Sequence, residues 1–472
     1  MTPAPPPAPS PALSPTSTPT PSPTPTPTPP PSPSPALSPT STPSPSPAPP
    51  YSRRYAQSLH CLTRARHLIP GGTQTLSKRA ESFPEGAFPV FLQKAQGCTT
   101  WDIDGHPYVD WIMALGAVTV GHRHPAVIEA VKRQLHDGPL FSLGHPLEIE
   151  LAERLCEIIP CGLNGMVRFV KTGSEATEAA VRVARMATGR DVILVPEAGY
   201  SSWHSWFAAS KPLHLGVPKC YEGVVRTFRY NDLESFGAAC REDVAAVLME
   251  PTCFIPPEEG FLETVADRTR EAGALMIFDE VLTGFRWHLG GAQSYFRVTP
   301  DLATFGKALA SGFPLACLIG RRDLMEHAWV VSGTFGGECL SLAAALATLR
   351  IYQSDFVIEK LWKAGADLMS GLIDMADVLP LAIDGYPCLP RLTFTKDSAL
   401  AMSVFLQELA ARGILFHPAN LKPSAAHKKA DVEQTLAACG EALVVVRAGW
   451  EEGDLEKRLK GKVLDAGPVR QG

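Results

Sequence analysis

No apolar run in this 472-residue chain approaches the ~18 residues that a membrane-crossing helix needs. We therefore expect no membrane span. Its eleven cysteines are scattered and no two stand as CxxC. An odd count without a spacing pattern argues against a disulfide framework and for reduced thiols in a cytoplasmic protein. The net charge of −5 offers no basic surface for nucleic acid or an anionic membrane. "FGKA" (Phe305–Ala308) lacks both the Ser or Thr and the upstream glycine of a P-loop, and no GxGxxG follows a strand-like run. "GHRHP" supplies His122 and His124 without further ligands at metal spacing, so no metal site is expected. Residues 1–50 lack charge and aromatic residues altogether and hold 23 of the 45 prolines. Proline at that density withdraws the backbone donors of helix and sheet, and so little apolar surface cannot offset ordering. A disordered Pro/Ser/Thr-rich tail is expected there, without the basic start or the arginines of an import signal.

What remains is long enough for two or three domains. Short apolar runs alternate with helical patterns: Met166–Val170, Asp191–Val195, Val244–Met249, Ala274–Phe278 and Leu315–Ile319. Runs without polar alternation suggest strands covered on both faces, and their interleaving with helices suggests a mostly parallel sheet. In such sheets ligands bind at the carboxyl ends of the strands. The flanks differ. "WDIDGHPYVDW" (Trp101–Trp111) has the Asp-Gly signal of a hairpin, and the region after residue 340 opens and closes with helices. We expect an α/β fold in which 111–339 form a large domain. Residues 51–110 and 340–472 would build a smaller α+β domain.

Three strand ends carry unusual residues. After Val170, Thr172 and Glu175 fit a capping box, which would leave the amides of Gly173 and Ser174 at the positive end of a helix dipole. Ordinary helix starts look the same. After Phe278 comes Asp279, either a cap for the next element or a partner for a cationic ring nitrogen. After Phe305 come Gly306 and Lys307. Such a lysine either snorkels to the surface or, if desolvated, serves as an amine nucleophile. Together the three match one ligand, pyridoxal 5'-phosphate (PLP): the helix start for the phosphate, the aspartate for the ring N–H, the lysine for an imine (Schiff base).

The stretches "IPGGTQTLSK", "VRFVKTGSEATEAAVRVARMATGRD", "MEPTCFIPPEEGFLE", "IFDEVLTGFR", "PDLATFGKALASGFPLACLIGRRDLM" and "GTFGGECLSLAAALATL", in this order, resemble the class III PLP-dependent aminotransferases of fold type I, in particular the glutamate-1-semialdehyde 2,1-aminomutase branch. The resemblance implies Lys307 as the imine lysine and Asp279 as the ring-nitrogen partner. It implies Val281 on one ring face, Tyr200 stacked on the other, and Gly173 and Ser174 at the phosphate. Thr334 would reach the phosphate of a neighbouring subunit, which implies a homodimer. The implied activity is amino-group transfer from a small-molecule amino donor to a polar carbonyl acceptor. The aminomutase reaction is one alternative, and a non-catalytic binding protein on the same fold is another.

Departures from the family pattern bear on substrate. Ser201-Ser202 stand where His-Gly is usual, and Ile255 stands near the place of an asparagine. Lys78 replaces an arginine that grips the substrate carboxylate in the aminomutase. Arg79, one place on in what reads as an extended segment, would face the other way. Trp203 and Trp206 would line a pocket for a bulkier substrate or belong to the core.

Overall fold

The computed structural model describes residues 53–211, 216–252, 255–376 and 379–465. The proline-rich stretch 1–50 lies outside the described residues. Thirteen strands are found among those described. In chain order they are β1 (Leu92–Gln96), β2 (Thr99–Asp102), β3 (Pro107–Asp110), β4 (Met166–Val170), β5 (Val192–Pro196), β6 (Val225–Phe228), β7 (Val244–Met249), β8 (Leu275–Glu280), β9 (Leu302–Phe305), β10 (Ala316–Gly320), β11 (Leu381–Tyr386), β12 (Leu389–Phe394) and β13 (Ile414–Leu415).

Seven of them form one sheet in the order β4-β10-β9-β8-β7-β5-β6. The pairs β5–β6, β5–β7, β7–β8 and β8–β9 are parallel. Only β10 runs against its neighbours β4 and β9, so six strands point the same way and share one carboxyl edge. The mostly parallel α/β sheet expected from the unalternating runs is what forms. β5, β7, β8, β9 and β10 are buried along their whole length because helices cover both faces. From β5 the chain winds outward to β6, then returns to β7 and continues the other way through β8 and β9. The order therefore reverses between β5 and β7, the position where such sheets open a crevice at the carboxyl edge.

A second sheet, β1-β2-β3-β13, contains the expected hairpin, with β2 and β3 antiparallel about the Asp104-Gly105 turn. β11 and β12 form a separate hairpin. Two main apolar cores follow. One lies on a face of the seven-stranded sheet and takes in the helix Cys339–Ser354, the other joins Tyr108, Trp111, Phe405, Phe416 and Val446 beneath the second sheet. The segment read as extended around Lys78 is instead two short 3-10 turns, Leu76–Lys78 and Ala80–Ser82, joined by Arg79.

Candidate active site

The first expected feature forms as read. Thr172 caps the helix Gly173–Thr188: its Oγ1 accepts from the Glu175 amide at 3.2 Å, and the Glu175 carboxylate accepts from the Thr172 amide at 2.8 Å. The helix begins three residues after β4, on the carboxyl edge. The amides of Gly173 and Ser174 have no acceptor among the described residues. Two unclaimed donors at the positive end of a sixteen-residue helix make a place for an anion. The Ser174 hydroxyl accepts from the Trp203 amide at 3.4 Å, which leaves its own proton to donate.

Asp279 is the fifth residue of β8, inside the strand rather than beyond it, and it is 2% exposed. Its Oδ1 accepts from the Val281 amide at 3.1 Å and from the Thr304 hydroxyl of β9 at 3.2 Å, and the Ser201 hydroxyl lies close by. Burial pushes the Asp279 carboxyl well up and the neighbouring Glu250 carboxylate pushes it further; the Val281 amide, the Lys307 ammonium and Ser201 pull it back. A carboxylate this desolvated is stabilised by a cationic N–H placed against it. The next residue, Glu280, is fully buried but already saturated. It accepts from the amides of Ala292 (2.6 Å) and Gln293 (3.0 Å), from Gln293 Nε2 (3.2 Å) and from the Thr283 hydroxyl (2.8 Å). Two adjacent acids on one strand face opposite sides, so one meets the crevice while the other braces the 290–293 turn.

Val281 leaves β8 between two glycines. A Cβ on Gly173 would fall 2.7 Å from Val281 Cγ1, and one on Gly306 would fall 3.4 Å from it. Lys307 follows Gly306 with φ of +38°, in the left-handed region that a lysine seldom occupies. It is part-buried, and close enough to Asp279 for its charge to be felt there. Tyr200, beyond β5, is 44% exposed, with its amide donating to Glu250 at 3.4 Å and its ring edge-on to Phe207 at 6.2 Å.

The carboxyl edge thus gathers Gly173 and Ser174 after β4, Tyr200 after β5, Asp279 and Val281 at β8, and Lys307 after β9. Thr334 is exposed, at the start of the turn 334–337. Sequence reasoning passed over three partners of Asp279. Ser201 was read as a departure, yet its hydroxyl lies near enough to Asp279 to favour the ionised carboxylate, and the Thr177 hydroxyl pins its carbonyl at 3.0 Å. Thr304 was legible as the one hydroxyl within an apolar strand. Glu250 follows β7 directly and gave no sign of facing Asp279. The two tryptophans separate: Trp206 is core at 2% exposure, and Trp203 is 72% exposed.

Unclaimed amides, a glycine-flanked valine, a desolvated carboxylate and a lysine fit a ligand bearing a phosphate, a flat pyridinium ring and an aldehyde. PLP has those three groups.

Comparison with known proteins agrees. The sequence profile of the family described as Aminotransferase class-III matches residues 82–422. Glutamate-1-semialdehyde 2,1-aminomutase of Methanothermobacter thermautotrophicus is 36% identical over 416 residues, spanning 80% of this chain and 97% of the relative. The aminomutase of Methanothrix thermoacetophila is 37% identical over 412 residues, 79% of this chain and 94% of the relative. Among solved structures, the FumI protein of Sphingopyxis sp. MTA144, in its PLP internal aldimine form, superposes with a TM-score of 0.80 at 28% identity, covering 84% of this chain and 98% of that one. An omega-transaminase from Sphaerobacter thermophilus gives 0.74 at 26% identity, covering 83% and 98%. The chain belongs to the class III aminotransferase family and is a PLP-dependent enzyme of fold type I.

Proposed function

We propose that this class III enzyme moves an amino group from an amino-acid donor to a separate polar carbonyl acceptor, with Lys307 and Asp279 as its catalytic pair. Bound at the carboxyl edge, PLP supplies the electron sink for that chemistry. Lys307 Nζ would hold the cofactor's aldehyde carbon and move the proton at the amine-bearing carbon. Asp279 would keep the ring nitrogen protonated, Val281 and Tyr200 would bracket the ring, and Gly173 and Ser174 would hold the phosphate.

The observation favouring transfer between two molecules is the fate of the residues where the aminomutase has its arginine. Lys78 is exposed and borders a small cavity beside Phe83 and Phe88. Arg79 Nε lies 3.5 Å from Glu81, which is itself bound to Arg66 at 2.6 Å. Lys78 is an ammonium without a planar fork, and the Arg79 guanidinium is drawn by its Nε toward Glu81, a carboxylate of the protein itself, whereas the aminomutase reaction needs a bidentate hold on the substrate carboxylate while an amino group leaves one carbon and returns to the next. What favours the aminomutase instead is the shared name of relatives at 36–37% identity over nearly their full length. The test loads the enzyme with the pyridoxamine form of the cofactor, adds glutamate 1-semialdehyde and follows 5-aminolevulinate. We expect little product, and rapid turnover with a separate donor and acceptor. Efficient 5-aminolevulinate formation makes the protein an aminomutase.

The same reading includes a homodimer and a smaller lobe built on the second core. Leu140, Phe141 and Leu143 are exposed, as are Trp329 and Phe335, and the two segments meet where the Cys339 amide donates to the Pro139 carbonyl at 2.8 Å. A second copy covering this apolar surface would bring Thr334 to the neighbouring phosphate.

A further inference from the structure

We propose that a cleft of about 440 Å³ between the 122–125 segment, the 355–360 segment and Lys428 binds a small multivalent oxyanion of the phosphate type. None of its lining residues belongs to the candidate active site. Its volume is that of a small-molecule site. The three cations on its wall, Arg123, Lys360 and Lys428, face a single carboxylate, Asp355. The chain as a whole carries −5, so this local excess of positive charge does not follow from general basicity.

Three further observations converge there. The helices Pro125–Asp137, Val357–Ala376 and Lys429–Glu451 all begin at the cleft, since Pro125, Val357 and Lys428 line it. Two of these starts carry a first-turn acid of their own, Glu359 and Asp431, so the helix Pro125–Asp137, which has none, supplies the uncompensated positive end. The side chains of Arg123 and Lys360 have no hydrogen-bond or ion-pair partner among the described residues, and Arg123 holds a left-handed φ of +52°. Asp355 is occupied in part by the Ser354 hydroxyl at 2.6 Å, which reduces its opposition to an anion.

Isothermal titration of the holoenzyme tests this, because the cofactor then fills the phosphate place at Gly173 and Ser174. Pyrophosphate and inorganic phosphate are titrated at an ionic strength fixed with sodium chloride, while the cofactor's absorbance is followed. We expect saturable binding, tighter for pyrophosphate, with unchanged absorbance. Arg123→Gln and Lys360→Gln each remove one charge-assisted contact and should weaken binding about ten-fold. Both residues are exposed, so the variants keep the fold. Absence of heat at millimolar pyrophosphate overturns the proposal. So does wild-type affinity in both variants, or binding that rises as cofactor is lost.

Discussion

Neighbouring carboxylates on β8 show how position assigns chemistry to residues of one type. Glu280 has four donors and a structural task; Asp279 has two, Val281 and Thr304, and faces the crevice. Asp279→Asn should keep the fold, since Val281 and Thr304 can still donate to the amide oxygen. It should cost roughly 10²–10⁴ in turnover, because an amide cannot hold a ring nitrogen protonated. Turnover within a few fold of wild type would remove Asp279 from the catalytic pair. The apoprotein gives a second readout. The folded state holds this proton more tightly than the unfolded chain, so stability falls as pH rises from the ordinary aspartate range toward about 7. Asp279→Asn should abolish that slope and melt higher than wild-type apoprotein at pH 8. For Lys307, borohydride reduction of the holoenzyme should fix the cofactor to the peptide carrying that residue. Attachment to another lysine ends its assignment.

Elements bring these residues together by close approach. The helix Gly173–Thr188 can start against β8 only because residue 173 has no side chain; a Cβ would enter both Val281 methyls, at 2.7 and 3.0 Å. Gly173→Ala should push Val281 toward the ring position and turn the first amides of the helix away. We expect cofactor affinity to drop at least about ten-fold, with a stability loss of about 1–3 kcal/mol from overpacking. Thr172→Ala removes only the cap and should cost about 1 kcal/mol with a smaller change in affinity. Equilibrium dialysis of PLP and urea unfolding separate the two. If both variants lose affinity equally, the Gly173 contact does not shape the site.

For the molecule as a whole, the second core carries an acid-sensitive joint. His427 is buried and stacked on Trp111 at 4.0 Å. Its Nδ1 accepts from the Ser424 amide at 3.0 Å, so Nε2–H donates to the Asp110 carbonyl at 3.2 Å. Burial holds its pKa down, to about 4. The unfolded chain therefore binds this proton first, and stability is lost as pH falls from about 6.5 toward 4, by up to about 3 kcal/mol. His427→Gln should flatten that part of the stability–pH curve, measured by urea unfolding at several pH values; an unaltered curve would place the acid sensitivity elsewhere. At the level of assembly, light scattering should give twice the chain mass, and Phe335→Asp should reduce it. A monomeric wild type would leave Thr334 without a phosphate to reach.

Much of this was written in the chain. Unalternating apolar runs determined a sheet buried on both faces, because only strands covered by helices tolerate such runs. The capping pair Thr172 and Glu175 determined where a helix begins, since both bonds are local. Lys307 and Asp279 stood out as charges against apolar strands. Other features depended on contacts between residues far apart in sequence. The role of Ser201 and the pressure of Glu250 on Asp279 exist because β5, β7 and β8 end side by side. The 3-10 turns at Lys78, the separation of Trp203 from Trp206, and the meeting of three helix starts at Arg123 and Lys360 are likewise tertiary. Local sequence determines which backbone pairs with itself. Only packing decides which side chains meet across the sheet edge and which charges are left without a partner.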